Sequence, residues 1–259
     1  MQQYDAVILA GGETSELLKP VSPYNNESLI IIGQYPIIYY VYQALRISPK
    51  VNNIVVSGPV EALRNVLGND GRLFFAEAGE DAIDSLQNAL EALTEMPMTD
   101  KILILPSDIP FITTEAIDDF ISRCEDYKAD FYYPIIRQEI NEDKYPGVKR
   151  TYIKIKEGSF TGGNLFIISH DVIEKAIAKA KLIVQHRKNP LAIIRMFGTA
   201  IFIRYLFKQL TLPYAEKTFR RIIGIAGKAI ISPFAEVGVD VDKPSDLELA
   251  QQHLSDKVF

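Results

Sequence analysis

Cysteine is nearly absent from this sequence: Cys124 is the only one in 259 residues, so no internal disulfide can form. A reducing, cytoplasmic setting is therefore expected. A secretory signature is also missing. Met1 leads almost directly into a strand-like run, and the expectation is that no targeting segment is present. Long uncharged apolar runs are lacking too. The most apolar long stretch, Leu191–Phe207, contains Arg195 and Arg204 and is short for a bilayer span, so it reads as a buried or interfacial helix. There is no internal repeat and no low-complexity tract, and residues 1–259 read as a single domain.

What is present is an ordinary globular balance, 47% apolar and 24% charged. The length suits one large α/β domain, or a core carrying an inserted subdomain. The net charge of −5 hides an asymmetry. His170–Lys228 holds 12 Lys/Arg against 3 Asp/Glu, while the rest of the chain holds 16 against 30. Read plainly, these are amphipathic helices with cations on their wet faces. Read more sharply, they form a positive wall for an anionic ligand or an anionic membrane surface. No nucleic-acid partner is expected, membrane contact is expected to be weak and at the surface only, and a dimer is left open.

The first half alternates strands and helices. Ala6–Ala10 is a wholly apolar run ending in Gly11–Gly12, as a parallel strand buried on both faces should be. Helix is expected over Ile37–Leu45, Val60–Leu67, Asp81–Leu93 and from Thr113 or Thr114 to Cys124. Strand is expected over Asn53–Ser57, Leu73–Ala76 and Lys101–Leu105. This order predicts a three-layer α/β fold with a mostly parallel central sheet. The second half changes character. Asp130–Ile136, Thr151–Lys156, Asn164–Ile168 and Lys228–Ser232 read as strands, and Asn141–Arg150 as irregular. Asp171 to about Arg221 reads as helical, broken near Asn189–Pro190, Gly198 and Pro213. The closing helix, Asp242–His253, is expected to carry a capping box of Ser245 and Glu248. Residues 1–129 thus form one half and 130–259 another, with a helical insertion at about 170–228. Within it Ile193, Phe197, Ile201 and Tyr205 recur at helical spacing, as a core stripe or a dimer or lid face would.

Three motifs carry chemistry. Leu9–Ala10–Gly11–Gly12 closes the first strand, where glycine lets backbone N–H groups approach a phosphate. Ser107–Asp108–Ile109–Pro110 follows another buried strand. Asp240–Val241–Asp242–Lys243–Pro244–Ser245–Asp246–Leu247–Glu248 lies near the end of the chain. Together with LAGGETSELLKP and ESLIIIGQYPIIYYVYQAL, these resemble the MobA-like NTP transferases, the nucleotidyltransferase branch of the GT-A fold.

That resemblance implies a nucleotide-binding loop at Leu9, Ala10, Gly11 and Gly12, with Ser85 as a base contact. It implies Mg²⁺ (or Mn²⁺) held by Asp108 and Asp242, with Asp240 in reserve. Gly162, Gly163 and Asn164 match the family's glycine-rich stretch bordering the acceptor, and Lys149 and Arg150 are candidates to grip an acceptor phosphate. The partners implied are an NTP and a phosphorylated small-molecule acceptor, joined with release of pyrophosphate. The sequence departs from the family where it usually carries cations. Glu13, Thr14, Ser15 and Glu16 follow the glycine pair, and Glu27 replaces the lysine of K-x-L. Lys19 is the nearest cation left for a catalytic role. Two other readings stand beside this one: a non-catalytic nucleotide sensor on the same fold, or a nucleotide-sugar glycosyltransferase.

Overall fold

The computed structural model describes residues 2–186 and 198–259. Its frame is a sheet in the order β5-β4-β1-β6-β10-β7-β9-β8, with β11 beside β7. The strands of the first half are β1 (Tyr4–Leu9), β4 (Val51–Gly58), β5 (Leu73–Glu77) and β6 (Lys101–Pro106), all mutually parallel. Those of the second half are β7 (Phe131–Arg137), β8 (Ile153–Ile155), β9 (Gly158–Gly162), β10 (Phe166–Ser169) and β11 (Gly227–Ser232). There β10 runs antiparallel to β6 and β7, while β11 lies parallel to β7. A small hairpin, β2 (Ile31–Ile32) with β3 (Tyr35–Pro36), stands apart.

The apolar runs of β1, β4 and β6 follow from burial on both faces. Ala6, Ile8, Val56, Leu103 and Leu105 point into one core with α1 (Ile37–Ile47) and α4 (Thr114–Glu125). Val7, Val55, Ile102 and Ile104 point into the other, with α3 (Ala82–Thr94) and α6 (Ile173–His186). Each fully buried aliphatic side chain contributes about 1.5–3 kcal/mol, so these strands anchor the sheet. From β1 the chain builds outward through β4 to β5, then returns to place β6 on the other side of β1. That reversal opens a crevice at the carboxyl ends of β1 and β6, where ligands of open α/β sheets bind.

The remaining helices are α2 (Val60–Leu67), α5 (Gln138–Lys144), α7 (Thr199–Leu206), α8 (Leu212–Ile223) and α9 (Pro244–Leu254). Three expectations change. The polar stretch after Asn141 begins inside a helix, α5, which buries Asn141 and packs Ile140 on the core. Pro213 opens α8 rather than breaking a helix, and the break lies just before it, where Lys208 has φ +55°. The Ser245–Glu248 capping box does not form. Pro244 takes the first turn and makes Lys243 the N-cap, without a side-chain hydrogen bond. Of the helical stripe, Ile193 and Phe197 lie outside the described residues, while Ile201 is half-buried and Tyr205 exposed.

One polar group is built into the core at the start of β1. The buried Asp5 carboxylate accepts hydrogen bonds from Thr99 N (2.7 Å), Thr99 Oγ1 (3.0 Å), Asn52 Nδ2 (3.0 Å) and Asn53 N (3.1 Å). It pins the loop before β6 and the start of β4 to the central strand. Asp5→Ala strands these donors, and denaturant unfolding should show a loss of about 2–4 kcal/mol. A loss below ~0.5 kcal/mol would mean that water replaces the carboxylate.

Candidate functional site

The site forms because both central strands end at one level and a distant segment crosses them. Ser107 N donates to Leu9 O (3.0 Å), and Ala10 N donates to Ser57 O (2.7 Å), so the turns after β1 and β6 lie side by side. Val241 N donates to Asp108 O (2.9 Å), which carries the Asp240–Asp242 stretch directly over the end of β6. Ser15 Oγ donates to the Asp242 carbonyl (2.9 Å), closing the ring from the glycine loop back to the C-terminal segment.

Neither Gly11 nor Gly12 N–H finds a backbone acceptor among the described residues. Side chains at these positions would collide with their surroundings. A Cβ on Gly11 would stand 2.8 Å from Ala78 Cβ and 3.4 Å from Ser85 Oγ, and one on Gly12 would strike the Glu27 carboxylate. Ser85 is buried beside this loop, with its Oγ accepting from Gly79 N (3.0 Å). Asp81, not Ser85, caps α3, through Ile83 N and Asp84 N. Asn26 holds the other wall. Its Nδ2 donates to Ala10 O (2.8 Å) and its Oδ1 accepts from Ser28 N (2.9 Å), which seats Glu27 against Gly12.

Glu27, Asp108, Asp240 and Asp242 therefore face one another. Burial pushes the Asp108 carboxyl up to about 8, and the neighbouring charges of Glu27, Asp240 and Asp242 push the same way. Burial raises Glu27 to about 7, with help from Asp242 and Asp240. Asp242 is raised as well, by burial and Asp240, while Arg150 and Lys243 oppose the shift. Neither aspartate of the original pair is spent on capping. Thr113 caps α4 through Ala116 N (3.2 Å), and Asp242 lies outside the cap of α9.

Asp108 Oδ1 is buried and has no partner among the described residues. An orphaned carboxylate oxygen amid three further carboxylates suits a hard divalent cation, and the donor set is all oxygen. No three acidic, histidine or cysteine side chains among the described residues form a ready-made metal cage. Mg²⁺ needs none, since it takes one or two carboxylates and fills its shell with water and phosphate oxygens.

The residues expected to face an acceptor come from the second half. Arg150 Nη1 pairs with Asp240 Oδ1, while Arg150 Nε and Nη2 are buried without partners among the described residues. Lys149 is exposed. In the turn after β9, Gly163 N donates to Pro134 O (2.9 Å) and Asn164 N donates to Val237 O (2.8 Å). Asn164 Nδ2 is another buried donor left over. Gly162 sits against the Tyr133 hydroxyl, with no room for a Cβ. The β10–β6 register, Phe166 opposite Ile104, puts Asn164 level with the end of β6. Lys19 Nζ lies 2.6 Å from Glu16 Oε1 in an exposed pair, and Glu13, also just after the glycine pair, acts on it as well.

The motifs point to Asp108, Asp242 and the glycine loop, whereas Glu27 stands out in the sequence only as a departure from the family's lysine. Its only signal was its place in a motif that normally carries the opposite charge. Asn26 and the Arg150–Asp240 pair gave no local signal, for the partners are 16 and 90 residues apart.

The chain matches the MobA-like NTP transferase domain over residues 6–196. It is 30% identical over 132 residues to a 2-C-methyl-D-erythritol 4-phosphate cytidylyltransferase of Bifidobacterium longum subsp. infantis, a match covering 48% of this chain and 44% of that one. The chain thus spans less than half the length of that relative. A solved hypothetical transferase from Thermus thermophilus superposes with a TM-score of 0.80 at 29% identity, covering 95% of this chain and 100% of that one. A CMP:2-keto-3-deoxy-manno-octonic acid synthetase complexed with CTP shares the fold, with a TM-score of 0.60 at 14% identity, covering 99% of this chain and 100% of that one. By its motifs, its crevice and the span of that domain match, the chain belongs to the MobA-like NTP transferase family.

Proposed function

We propose that this chain is a divalent-cation-dependent nucleotidyltransferase. It would move a nucleoside monophosphate from an NTP to a phosphorylated small-molecule acceptor and release pyrophosphate. The observation that carries this reading is the Asp108 oxygen, without a partner among the described residues, set among three other carboxylates beside a glycine loop whose N–H groups meet no backbone acceptor there.

In this reading Gly11 and Gly12 N–H groups take the triphosphate, and Ser85 borders the base. Asp108 and Asp242 would hold Mg²⁺ or Mn²⁺, which supplies the positive charge that offsets the triphosphate's own. Arg150 directs its spare Nε and Nη2 donors at the acceptor's phosphate, and Asp240 keeps the guanidinium in place. Asn164 Nδ2 adds a donor on the same side. One acceptor phosphate oxygen bonds to the α-phosphorus as the bond to the β-bridging oxygen breaks, and pyrophosphate leaves with the electron pair. No side-chain base is needed, because a phosphate monoester is already anionic near neutral pH. Catalysis is then positioning and charge neutralisation. The curated relative's name makes CTP and a phosphorylated polyol the first pair to try.

A second reading, a nucleotide sensor, draws on Glu27. It replaces the family lysine and lies against Gly12, where phosphate is expected. Pyrophosphate release should be measured with each NTP, Mg²⁺ and a panel of phosphorylated sugars and polyols, alongside calorimetry. Turnover that falls at least ~10²-fold in Asp108→Ala supports the transferase. Nucleotide binding without pyrophosphate release under any pairing would favour the sensor.

Arg150→Ala should raise the acceptor KM by roughly 10–100-fold, the scale of lost charge-assisted hydrogen bonds, with a smaller change in the KM for NTP. Equal effects on both substrates would remove Arg150 from the acceptor side.

The carboxylates also make a stability prediction. Between the ordinary carboxylate range and about 8, the folded protein retains protons on Asp108 and Glu27 that the unfolded chain has released. Their contribution to stability therefore falls as pH rises through that window. Melting of the metal-free protein should decline from about pH 5 to about pH 8, and Asp108→Asn should flatten the decline, raising Tm at pH 8 by ~2–4 °C per kcal/mol relieved. Parallel pH profiles for the two proteins would show that Asp108 is not strained by its neighbours.

A further inference from the structure

Helix α7 has the sequence TAIFIRYL, and none of its residues is buried. A helix this apolar on every side normally lies inside a core. Here Phe202, Ile203 and Tyr205 are exposed, and Leu206 and Phe207 are 74% and 72% exposed. The patch continues inward. Ile201 lines an apolar cavity of about 410 Å³ beneath α8, whose walls Phe131 and Phe219 also line a second cavity of about 360 Å³. A contiguous apolar surface of this kind marks an interaction site.

The exposed charge on α7, on α8 and on the turn between them is positive. Arg204 stacks on the Tyr214 ring at 4.4 Å, Lys208 is exposed just after α7, and Lys217, Arg220 and Arg221 are exposed on α8. Two acids lie close to α8 and neither is exposed: Glu216 is 3.1 Å from Lys228, and Glu157 Oε1 accepts from Leu212 N (3.1 Å). Over His170–Lys228 the balance is 12 Lys/Arg to 3 Asp/Glu, in a chain whose net charge is −5.

We propose that this face docks on an anionic lipid bilayer, with α7 lying in the interface plane. Large apolar side chains flanked by cations match the headgroup boundary, where chain burial and attraction to acidic lipids act together. A second copy of the chain fits less well, since a two-fold contact through this face would press cation against cation. Among the described residues no helix is long and apolar enough to cross a membrane, and the contact proposed is a peripheral one. The proposal does not depend on nucleotidyl transfer.

The test is flotation of the full chain with vesicles of phosphatidylcholine alone or mixed with phosphatidylglycerol, at low and at raised salt. Binding should require phosphatidylglycerol and weaken with salt. It should fall at least ~10-fold in Ile203→Ser/Leu206→Ser/Phe207→Ser and in Lys217→Glu/Arg220→Glu. These exposed positions should leave the melting curve and nucleotide binding unchanged. If the apolar variant fails to fold, the lipid and salt dependence of the unaltered chain decides the matter. Failure to float with phosphatidylglycerol at low salt would overturn the proposal. So would a dimer in sedimentation that the apolar variant dissociates while vesicles have no effect.

Discussion

Four carboxylates are kept within reach of one another by backbone hydrogen bonds that their own repulsion opposes. Asp108 sits at the end of a strand buried on both faces, so it cannot retreat without disrupting β6. Asp240 and Asp242 are carried over it by the Val241 N–Asp108 O bond, and Glu27 is held in place by the Asn26 cap. Two of these carboxyls consequently titrate near neutrality, at about 8 and about 7. A fold selected for stability alone would place a lysine or an apolar residue there. Strain that the surrounding structure is rigid enough to sustain marks a place where something else supplies the missing charge.

The rest of the architecture serves that convergence. β1 and β6 need core on both faces to fix two turns at one height, and the central sheet provides it. The second half of the chain brings three groups to the same crevice by separate routes. Asn164 arrives on the turn into β10. Asp240 and Asp242 arrive after β11, and Arg150 reaches Asp240 from the loop before β8. These groups are apart in sequence, yet Asn164 is tied to the end of β6 by register, the Asp240–Asp242 stretch by a hydrogen bond, and Arg150 through Asp240. This part of the second half is thus ordered by the same strand end that positions Asp108.

Much of this was legible from local pattern, and the exceptions have physical reasons. Ala6–Ala10 and Lys101–Leu105 read as strands because burial on both faces demands unbroken apolar runs. α5 did not, because Gln138–Lys144 is polar on nearly every side. Its helix depends on burying Asn141 and Ile140, a tertiary effect that periodicity does not register. The expected Ser245 cap failed because Pro244 is suited to the first helical position and moves the boundary by one residue. Within the site, Asp108 and Asp242 stand in recognisable motifs. The Arg150–Asp240 pair joins residues 90 positions apart and leaves no trace in either neighbourhood.

Glu27 changes how the charge in such a site must be balanced. Exchanging a lysine for a glutamate alters the local charge by two units, and it does so against Gly12, where backbone N–H groups would meet phosphate. An unaccompanied triphosphate would face net repulsion here, whereas a cation would meet more acid than the family pattern provides. On the proposed reading the order of dependence follows: the nucleotide is attractive to this loop chiefly as its metal complex, and the carboxylates that destabilise the empty site are relieved by the same event. On the same reading Arg150 would supply positive charge from the protein itself at the reaction centre. Because Asp240 already holds one end of it, its remaining donors are aimed rather than mobile, which favours a small, doubly charged acceptor group over a diffuse one.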